Sequence, residues 1–241
     1  MGIKSLETGI EQPNTDTLGG DYTLNSGSYA MRIDVAYFTT MDSGSQALNL
    51  VFKAADGGKA EIRQTLYVTT GTEKGNNGYY LTKTGKKVIL SDRQKAEQIC
   101  QICCEQPLSA LATEMKTVKI WDWPSRSNLP TEVEVVTDLV NKPILLGIRK
   151  IHKNKQAKND KGQWVATPED QTINEVHKVW YPSGLSTGEK DDGQTEGKFI
   201  HTWKTKHHAD YIEEMYKSVG GVTTGSPAAV EASVDDDLFK D

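Results

Sequence analysis

The sequence predicts a mainly β protein into which one or two helices are inserted. Two observations carry this prediction: several segments alternate apolar and polar residues, and glycine-containing turns separate them. In GSYAMRIDVAYFTT (residues 27–40), the odd-numbered positions from Tyr29 to Tyr37 are apolar or aromatic, and charged residues fall between them. Many short strands joined by such turns favour a barrel or a sandwich.

The first half of the chain predicts a three-stranded meander followed by a helix. Strands are predicted at 27–40, 46–55 and 60–70, joined by turns at 41–45 (MDSGS) and 56–59 (DGGK). The glycine- and lysine-rich residues 71–87 predict a loop or a small hairpin. A Ser or Asp suited to capping opens residues 91–105, which predict a helix.

The second half predicts further strands and a second helix. Strands are predicted at 117–123, where Pro124 ends the strand, and at 143–155 and 173–182, while 131–142 is ambiguous between strand and helix. Residues 157–164 predict a turn and 184–197 a loop. Helix-like spacing of large apolar side chains predicts a helix over 199–219.

Charge and composition divide the chain into three parts. These are a polar N-terminal arm (1–20), a single β-rich domain (21–219) and a flexible acidic tail (220–241) that begins with a linker composition. Five acids and one base give the tail a formal charge of −4, which leaves −1 for the rest of a chain whose total is −5. Residues 142–158, the basic stripe, hold six basic residues and no acid.

The three cysteines, Cys100, Cys103 and Cys104, predict core packing rather than a disulfide framework or a metal site. An odd number crowded into five residues indicates a reducing compartment. The C-x-x-C spacing would suit zinc, but a zinc site needs a second pair of ligands, and nothing ties the adjacent histidines His207 and His208 to it. No metal or cofactor is expected.

Catalytic signatures are missing from the sequence. It contains no P-loop, HExxH, GxSxG or GxGxxG motif. Asp191 and Asp192 are adjacent, but they lie in a glycine-rich loop, whereas a two-metal site needs carboxylates from several elements. No pair of nucleophile and base can be defended, so we expect no enzymatic activity.

Aromatic side chains near basic ones on strands and loops indicate binding of single-stranded nucleic acid. One aromatic residue on a strand is more often core, but a collection beside Lys and Arg suits bases that stack on rings and phosphates that follow cations. Trp164 and Trp180 are the first candidates for stacking, followed by Trp121, Trp123, Tyr79 and Tyr80. The candidates for phosphate contact are Arg149, Lys150, Lys153, Lys155 and Lys178.

The chain ends in VDDDLFKD, which combines charge with two large apolar side chains. Asp235, Asp236 and Asp237 can meet basic groups of a partner, while Leu238 and Phe239 fill an apolar pocket. An acidic solubility tail would explain the charges but not the Leu-Phe pair. The tip therefore predicts a partner-binding peptide, whose acids also compete with DNA for a basic groove.

Several segments in order resemble the single-stranded DNA-binding proteins of short-tailed bacteriophages. They are LNSGSYAMRIDVAYFTTMDSG, QTLYVTTGTEKGNNGYYL, the helix with its Ile-Cys pair, KIWDW, NKPILLGIRKIHKNK and INEVHKVWYPSGLSTGE. The resemblance covers most of residues 20–205. The tail is similar to the acidic tips of bacterial and phage single-stranded DNA-binding proteins, which usually finish on the aromatic residue, whereas here Lys240 and Asp241 follow Phe239.

The resemblance implies an OB-fold-like β-barrel, a role in DNA replication, recombination and repair, and the cytoplasm of an infected bacterial host. The implied partners are single-stranded DNA and the replication or repair proteins that the tail recruits, with no membrane contact. Two alternatives stay open: a β-rich virion or tail structural protein whose aromatic residues are all core, and a nucleic-acid enzyme such as a nuclease.

Overall fold

The mainly β prediction is confirmed by the computed structural model, which describes residues 23–122, 125–160 and 162–218. The strands are β1 (Gly27–Thr40), β2 (Gln46–Ala54), β3 (Glu61–Tyr67), β4 (Tyr79–Leu81), β5 (Lys87–Ile89), β6 (Thr113–Asp122), β7 (Ser127–Val136), β8 (Pro143–Lys158), β9 (Trp164–Trp180) and β10 (Ile212–Glu214). The helices are α1 (Ser91–Cys104), α2 (Thr187–Asp191) and α3 (Phe199–Lys206). The N-terminal arm and the acidic tail lie outside the described residues.

The main sheet is organised around β1, which is long enough to serve three neighbours. One edge of β1 pairs along its length with β2, and β2 pairs in turn with β3, as the predicted meander requires. The other edge is shared, because β8 pairs with the first part of β1 and β7 with the last part. The hairpins β6–β7 and β8–β9 extend the sheet from there, and β4 pairs only with β5.

The sheet is not closed into a barrel within the described residues. Strands β3 and β9 approach each other without a backbone ladder. Instead, the Val176 amide donates to the Gln64 side-chain oxygen at 3.3 Å, and Lys95 Nζ donates to the Val176 carbonyl at 2.6 Å. The Gln64 side chain thus bridges the seam at which a closed barrel would have backbone hydrogen bonds, and Lys95 joins α1 to β9 beside it.

One hydrophobic core lies between the inner faces of the strands and α1. Leu50 on β2, Leu66 on β3 and Ile148 on β8 are buried there, and α1 contributes Ile99 and Cys100. Burial raises the pKa of the Cys100 and Cys103 thiols, that of Cys103 to about 12, so both stay protonated and serve as packing groups. The predicted helix over 91–105 and the predicted core role of the cysteines are therefore confirmed.

The predicted helix over 199–219 is wrong in its second half. Helix α3 stops at Lys206, where the ring of His207 stacks on Trp203 with centroids 4.5 Å apart. The chain then forms β10, which pairs in parallel with β8 from Lys150 to His152. Pairing with the open edge of β8 outweighs the weak local preference of these residues for helix.

Smaller differences concern element limits. The ambiguous residues 131–142 form the end of β7 followed by a short 3-10 turn, and the predicted loop 184–197 contains α2. That helix begins with a capping box between Ser186 and Glu189, whose side chains bond each other's backbone amides. Strand β9 begins nine residues earlier than predicted, so β8 and β9 form one long hairpin that projects beyond β1.

Candidate nucleic-acid interface

A groove of about 640 Å³ lies on the outer face of β1–β3, with the β6–β7 hairpin as its side wall. This groove, named here the strand groove, is lined by aliphatic, aromatic, basic, acidic and small polar side chains. Its aromatic and basic side chains are Tyr37, Lys53, Arg63, Lys119 and Trp121, and Asp34 and Glu61 lie beside the cations.

The floor of the strand groove follows from strand alternation. In β2 and β3, residues such as Leu50 and Leu66 point into the core, so their neighbours point outward. The strand register then sets the outward side chains in rows, of which one is Tyr37, Asn49 and Thr65. Asn49 fixes this row, because its amide donates to Thr39 Oγ1 at 2.9 Å and its carbonyl oxygen accepts from Thr65 Oγ1 at 2.8 Å.

The wall of the strand groove is a long antiparallel hairpin. Strands β6 and β7 pair from Thr113↔Val136 to Asp122↔Ser127, and only the base of the hairpin pairs with β1, through Tyr37↔Val135. Trp121 lies near the tip, half-buried and facing the same groove as Tyr37. A floor ring and a wall ring therefore border one channel.

The cations of the strand groove are weakly engaged. Lys53 pairs with Asp34 and Arg63 pairs with Glu61, each at 2.8 Å, and about half of each basic side chain is exposed, at 52% and 51%. Exposed pairs of this kind contribute about 0–1 kcal/mol, so a phosphate can displace the carboxylate at little cost. Lys119 is exposed on the wall. Burial raises the pKa of Tyr37, which keeps its ring neutral.

Among the predicted stacking residues, Trp121 lies in the strand groove and Trp180 does not. The side chain of Trp180 is completely buried and packs edge-on against Trp203, with centroids 5.3 Å apart. The prediction that Trp180 stacks on a base is therefore wrong, because the ring belongs to a small core beneath α3. Trp123 lies outside the described residues, so its predicted role is not tested.

Arg149, predicted to contact phosphate, is enclosed by protein carboxylates. Only 17% of its side chain is exposed, and its guanidinium lies between Glu175 on β9, at 3.1 Å, and Glu213 on β10. Its Nε is buried without a hydrogen-bond partner. This arrangement gives Arg149 a structural role, joining β8, β9 and β10, and argues against a phosphate contact.

The rest of the basic stripe lies on the long β8–β9 hairpin, away from the strand groove. Lys150 and Lys153 are half-buried, and Lys155 is exposed and paired with Glu169 at 3.1 Å. Near the end of this hairpin, Trp164 is 65% exposed and Lys158 lies over its ring at 5.5 Å from the centroid. A ring and a cation at this tip fit the stacking prediction for Trp164, at a place separate from the strand groove.

The remaining predicted residues are divided between two other places. Lys178 is half-buried above the Phe199 ring, and burial lowers the pKa of this lysine. Tyr79 and Tyr80 belong to the small β4–β5 hairpin, where Lys87 lies over the Tyr79 ring at 4.6 Å and Tyr80 is 46% exposed. The predicted tail residues Asp235, Asp236, Asp237, Leu238 and Phe239 lie outside the described residues.

A second group of charges ties β10 to the long hairpin. The ring of His152 is held between Glu214, at 2.9 Å from Nδ1, and Asp170, at 2.9 Å from Nε2. Both hydrogen bonds raise the pKa of His152 above its ordinary value of 6.5, and the bond to Glu214 has the larger effect. Its contribution to stability is therefore fully present below pH 6.5 and is lost as the pH rises through the folded-state pKa.

The half-buried His177 and the buried His207 affect the pH dependence of stability in the opposite direction. Burial lowers the pKa of His177 to about 3, and it also lowers the pKa of His207. Since an unfolded chain would bind these protons near pH 6.5, both residues reduce stability as the pH falls below that value. Only a comparison that removes His152 alone can isolate its contribution.

Several residues of the strand groove were not among the sequence candidates. They are Tyr37, Lys53, Arg63 and Lys119. A signal existed for Lys53 and Arg63, because each lies in the register opposite the apolar residues of its predicted strand. Alternation placed Tyr37 with the apolar residues of β1, but a register shift between Ile33 and Val35 turns its side chain to the outer face. Lys119 lies two residues before Trp121 and therefore on the same side of its strand.

No cluster of three or more His, Cys, Asp or Glu side chains suited to a metal occurs among the described residues. Within the same part of the chain, no helix is long and apolar enough to span a membrane. Comparisons with protein-family models, with curated proteins and with solved structures find no match.

Proposed function

We propose that this chain is a sequence-independent single-stranded DNA-binding protein, and that the strand groove is where the DNA binds. The observation that carries the proposal is that one groove brings Tyr37, Lys53 and Arg63 of the sheet face together with Lys119 and Trp121 of the hairpin wall. Rings supply stacking at about 1–3 kcal/mol per base, and cations follow the backbone phosphates. Rings of this kind need unstacked bases, which a single strand offers and a duplex does not.

The arrangement of strands supports an OB-fold-like protein. An OB-fold is a partly open, five-stranded Greek-key barrel that binds oligonucleotides on the face of its second and third strands. Here β1, β2, β3, β8 and β9 supply five strands of one sheet, with an open seam between β3 and β9, and the strand groove lies on the outer face of β2 and β3. The β6–β7 hairpin is then an insertion that walls this face.

The chemistry of the strand groove favours binding without sequence preference. Stacking accepts any base, and a phosphate looks the same at every nucleotide. Such a protein would coat transient single strands during phage DNA replication, recombination and repair in the host cytoplasm, without catalysing a reaction. We assign the recruitment of replication or repair proteins to Asp235, Asp236, Asp237, Leu238 and Phe239 of the acidic tail.

A fluorescence titration with oligo-dT at several salt concentrations tests the proposal. Trp121 should report stacking through quenching, and affinity should fall with salt because each phosphate contact releases counterions. A duplex of equal length serves as the control and should bind much more weakly. Equal binding of duplex and single strand, or quenching that survives replacement of Trp121 and Tyr37 by Ala, would contradict it.

A further inference from the structure

The outer face of β3 continues beyond the strand groove. Thr65 still lines the groove, and the next outward residue is Tyr67. A strand rises about 3.3 Å per residue, so Tyr67 lies about 7 Å further along the same face. Its side chain is 47% exposed although it is large and aromatic.

A second cleft opens at this position. It measures about 230 Å³ and is lined on one side by Tyr67 and on the other by Tyr80 of the β4–β5 hairpin. Leu90 and Asp92, at the beginning of α1, also line it. Two exposed phenol rings from separate elements thus border one opening.

Hydrogen bonds join the backbone segments that carry the two rings. Thr70, just after β3, donates its amide to the Asn77 carbonyl at 2.8 Å, and the Asn77 amide donates to Thr70 Oγ1 at 2.9 Å. The Leu90 amide donates to the Gly78 carbonyl at 3.1 Å, which closes the base of the hairpin. The backbone frame of the cleft is therefore formed before any ligand arrives, which reduces the entropic cost of binding.

Charge separates the roles of the two parts of this surface. The Asp92 carboxylate lies in the cleft and accepts from the Tyr67 amide at 3.1 Å, so the cleft itself suits a neutral ring rather than a phosphate. The hairpin beside it carries Lys83, Lys86 and Lys87, all exposed, and residues 79–90 contain no acid. Bases fit at the rings and phosphates at the lysines.

We propose that the cleft between Tyr67 and Tyr80 is a second stacking subsite for single-stranded DNA, continuous with the strand groove along β3. It receives the bases that extend beyond that groove, while the lysines of the β4–β5 hairpin contact their phosphates. This inference rests on the proposed function. It adds a direction for the bound strand and a dependence of affinity on oligonucleotide length.

The test compares the affinities of the full chain and of Y67A/Y80A for oligo-dT of about 4 to about 16 nucleotides, the range of OB-fold site sizes. The double variant should bind the shortest oligomers like the unchanged chain. On the longest it should lose about 5- to 150-fold per ring, the equivalent of about 1–3 kcal/mol per stacked base. Y67F/Y80F, which keeps both rings, should restore the length dependence.

Leu81→Ala is the matched control, because Leu81 is 62% exposed on the same hairpin but lies on the face opposite Tyr80. It should leave binding unchanged at every length. Superimposable length profiles for Y67A/Y80A and the unchanged chain would overturn the subsite alone, and so would a loss of equal size at all lengths. An unchanged chain that binds no oligomer would instead overturn the proposed function itself.

Discussion

Two arginines, Arg63 and Arg149, separate the strand groove from the basic stripe as the place where phosphates bind. Arg63 is about half exposed and has one carboxylate partner, Glu61, so replacing it by Ala should change stability by about 0–1 kcal/mol. Arg149 is 17% exposed and lies between Glu175 and Glu213. Its removal leaves both glutamates without their guanidinium partner.

The expected cost of Arg149→Ala follows from this geometry. Breaking a fully buried ion pair costs about 3–5 kcal/mol, and the partial exposure of both glutamates reduces this to about 2–4 kcal/mol. A domain of this size loses about 2–4 °C in melting temperature per kcal/mol, so Arg149→Ala should melt roughly 4–16 °C lower. Arg63→Ala should melt within a few degrees of the unchanged chain.

Titrations with oligo-dT over a salt series supply the second readout. A phosphate contact to a single strand contributes about 0.7 to the slope of log affinity against log salt. Arg63→Ala should reduce the slope by about that amount, while Arg63→Lys keeps the charge and should retain it. Arg149→Ala should leave the slope unchanged. The reasoning is refuted if Arg149→Ala reduces the slope without destabilising the fold, or if Arg63→Ala leaves it untouched.

Three further predictions concern other parts of the chain. Trp180→Ala should lower the free energy of unfolding in urea by about 3–5 kcal/mol, because a buried aromatic side chain is lost. An unchanged urea midpoint would show that Trp180 is not part of the core. His152→Gln should remove a contribution to stability that is present below pH 6.5 and lost above it. The free energies of unfolding of the variant and the unchanged chain should therefore differ in acid and converge in alkali. A difference that stays constant with pH would exclude the charge pairs of His152 as its cause. Deleting residues 220–241 should tighten binding to oligo-dT at low salt, and this gain should fade as salt screens the competition between the tail carboxylates and DNA. L238A/F239A should keep its DNA affinity and lose partners in a pull-down from infected cells. Retention of every partner would favour the solubility-tail interpretation.

Strand positions could be predicted because the relevant signals are local. The alternation in β1 and the turn DGGK depend on residues within a few positions of one another, and β1–β3 form where they were predicted. The end of α3 could not be predicted in this way. It depends on His207 stacking against Trp203 and on β8 offering a free edge to β10, and neither contact is local in the sequence.

The candidate site was predicted less well than the fold, for a related reason. Trp121 and Trp180 look alike in the sequence, each on a strand with charged residues nearby. What separates them is the element that covers them, because α3 packs over Trp180 while the β6–β7 hairpin leaves Trp121 at the edge of a groove. Burial of an aromatic ring is set by long-range packing, so residue type and neighbours in sequence do not determine it.

The basic stripe illustrates the same limit for charge. Residues 142–158 contain no acid, yet a strand within a sheet has neighbours from other segments, and here these neighbours are acidic. Strand β9 places Glu175 beside Arg149, and β10 adds Glu213 and Glu214 next to Arg149 and His152. The charge of Arg149 is therefore matched by two protein carboxylates, and Lys155 pairs with Glu169. A phosphate that approached Arg149 would have to displace two glutamates that also hold β9 and β10 in place, whereas at Arg63 it displaces one carboxylate, that of Glu61. The cations that can exchange a carboxylate for a DNA phosphate are those whose carboxylate partners are easily displaced. The densest run of cations in the sequence does not identify them.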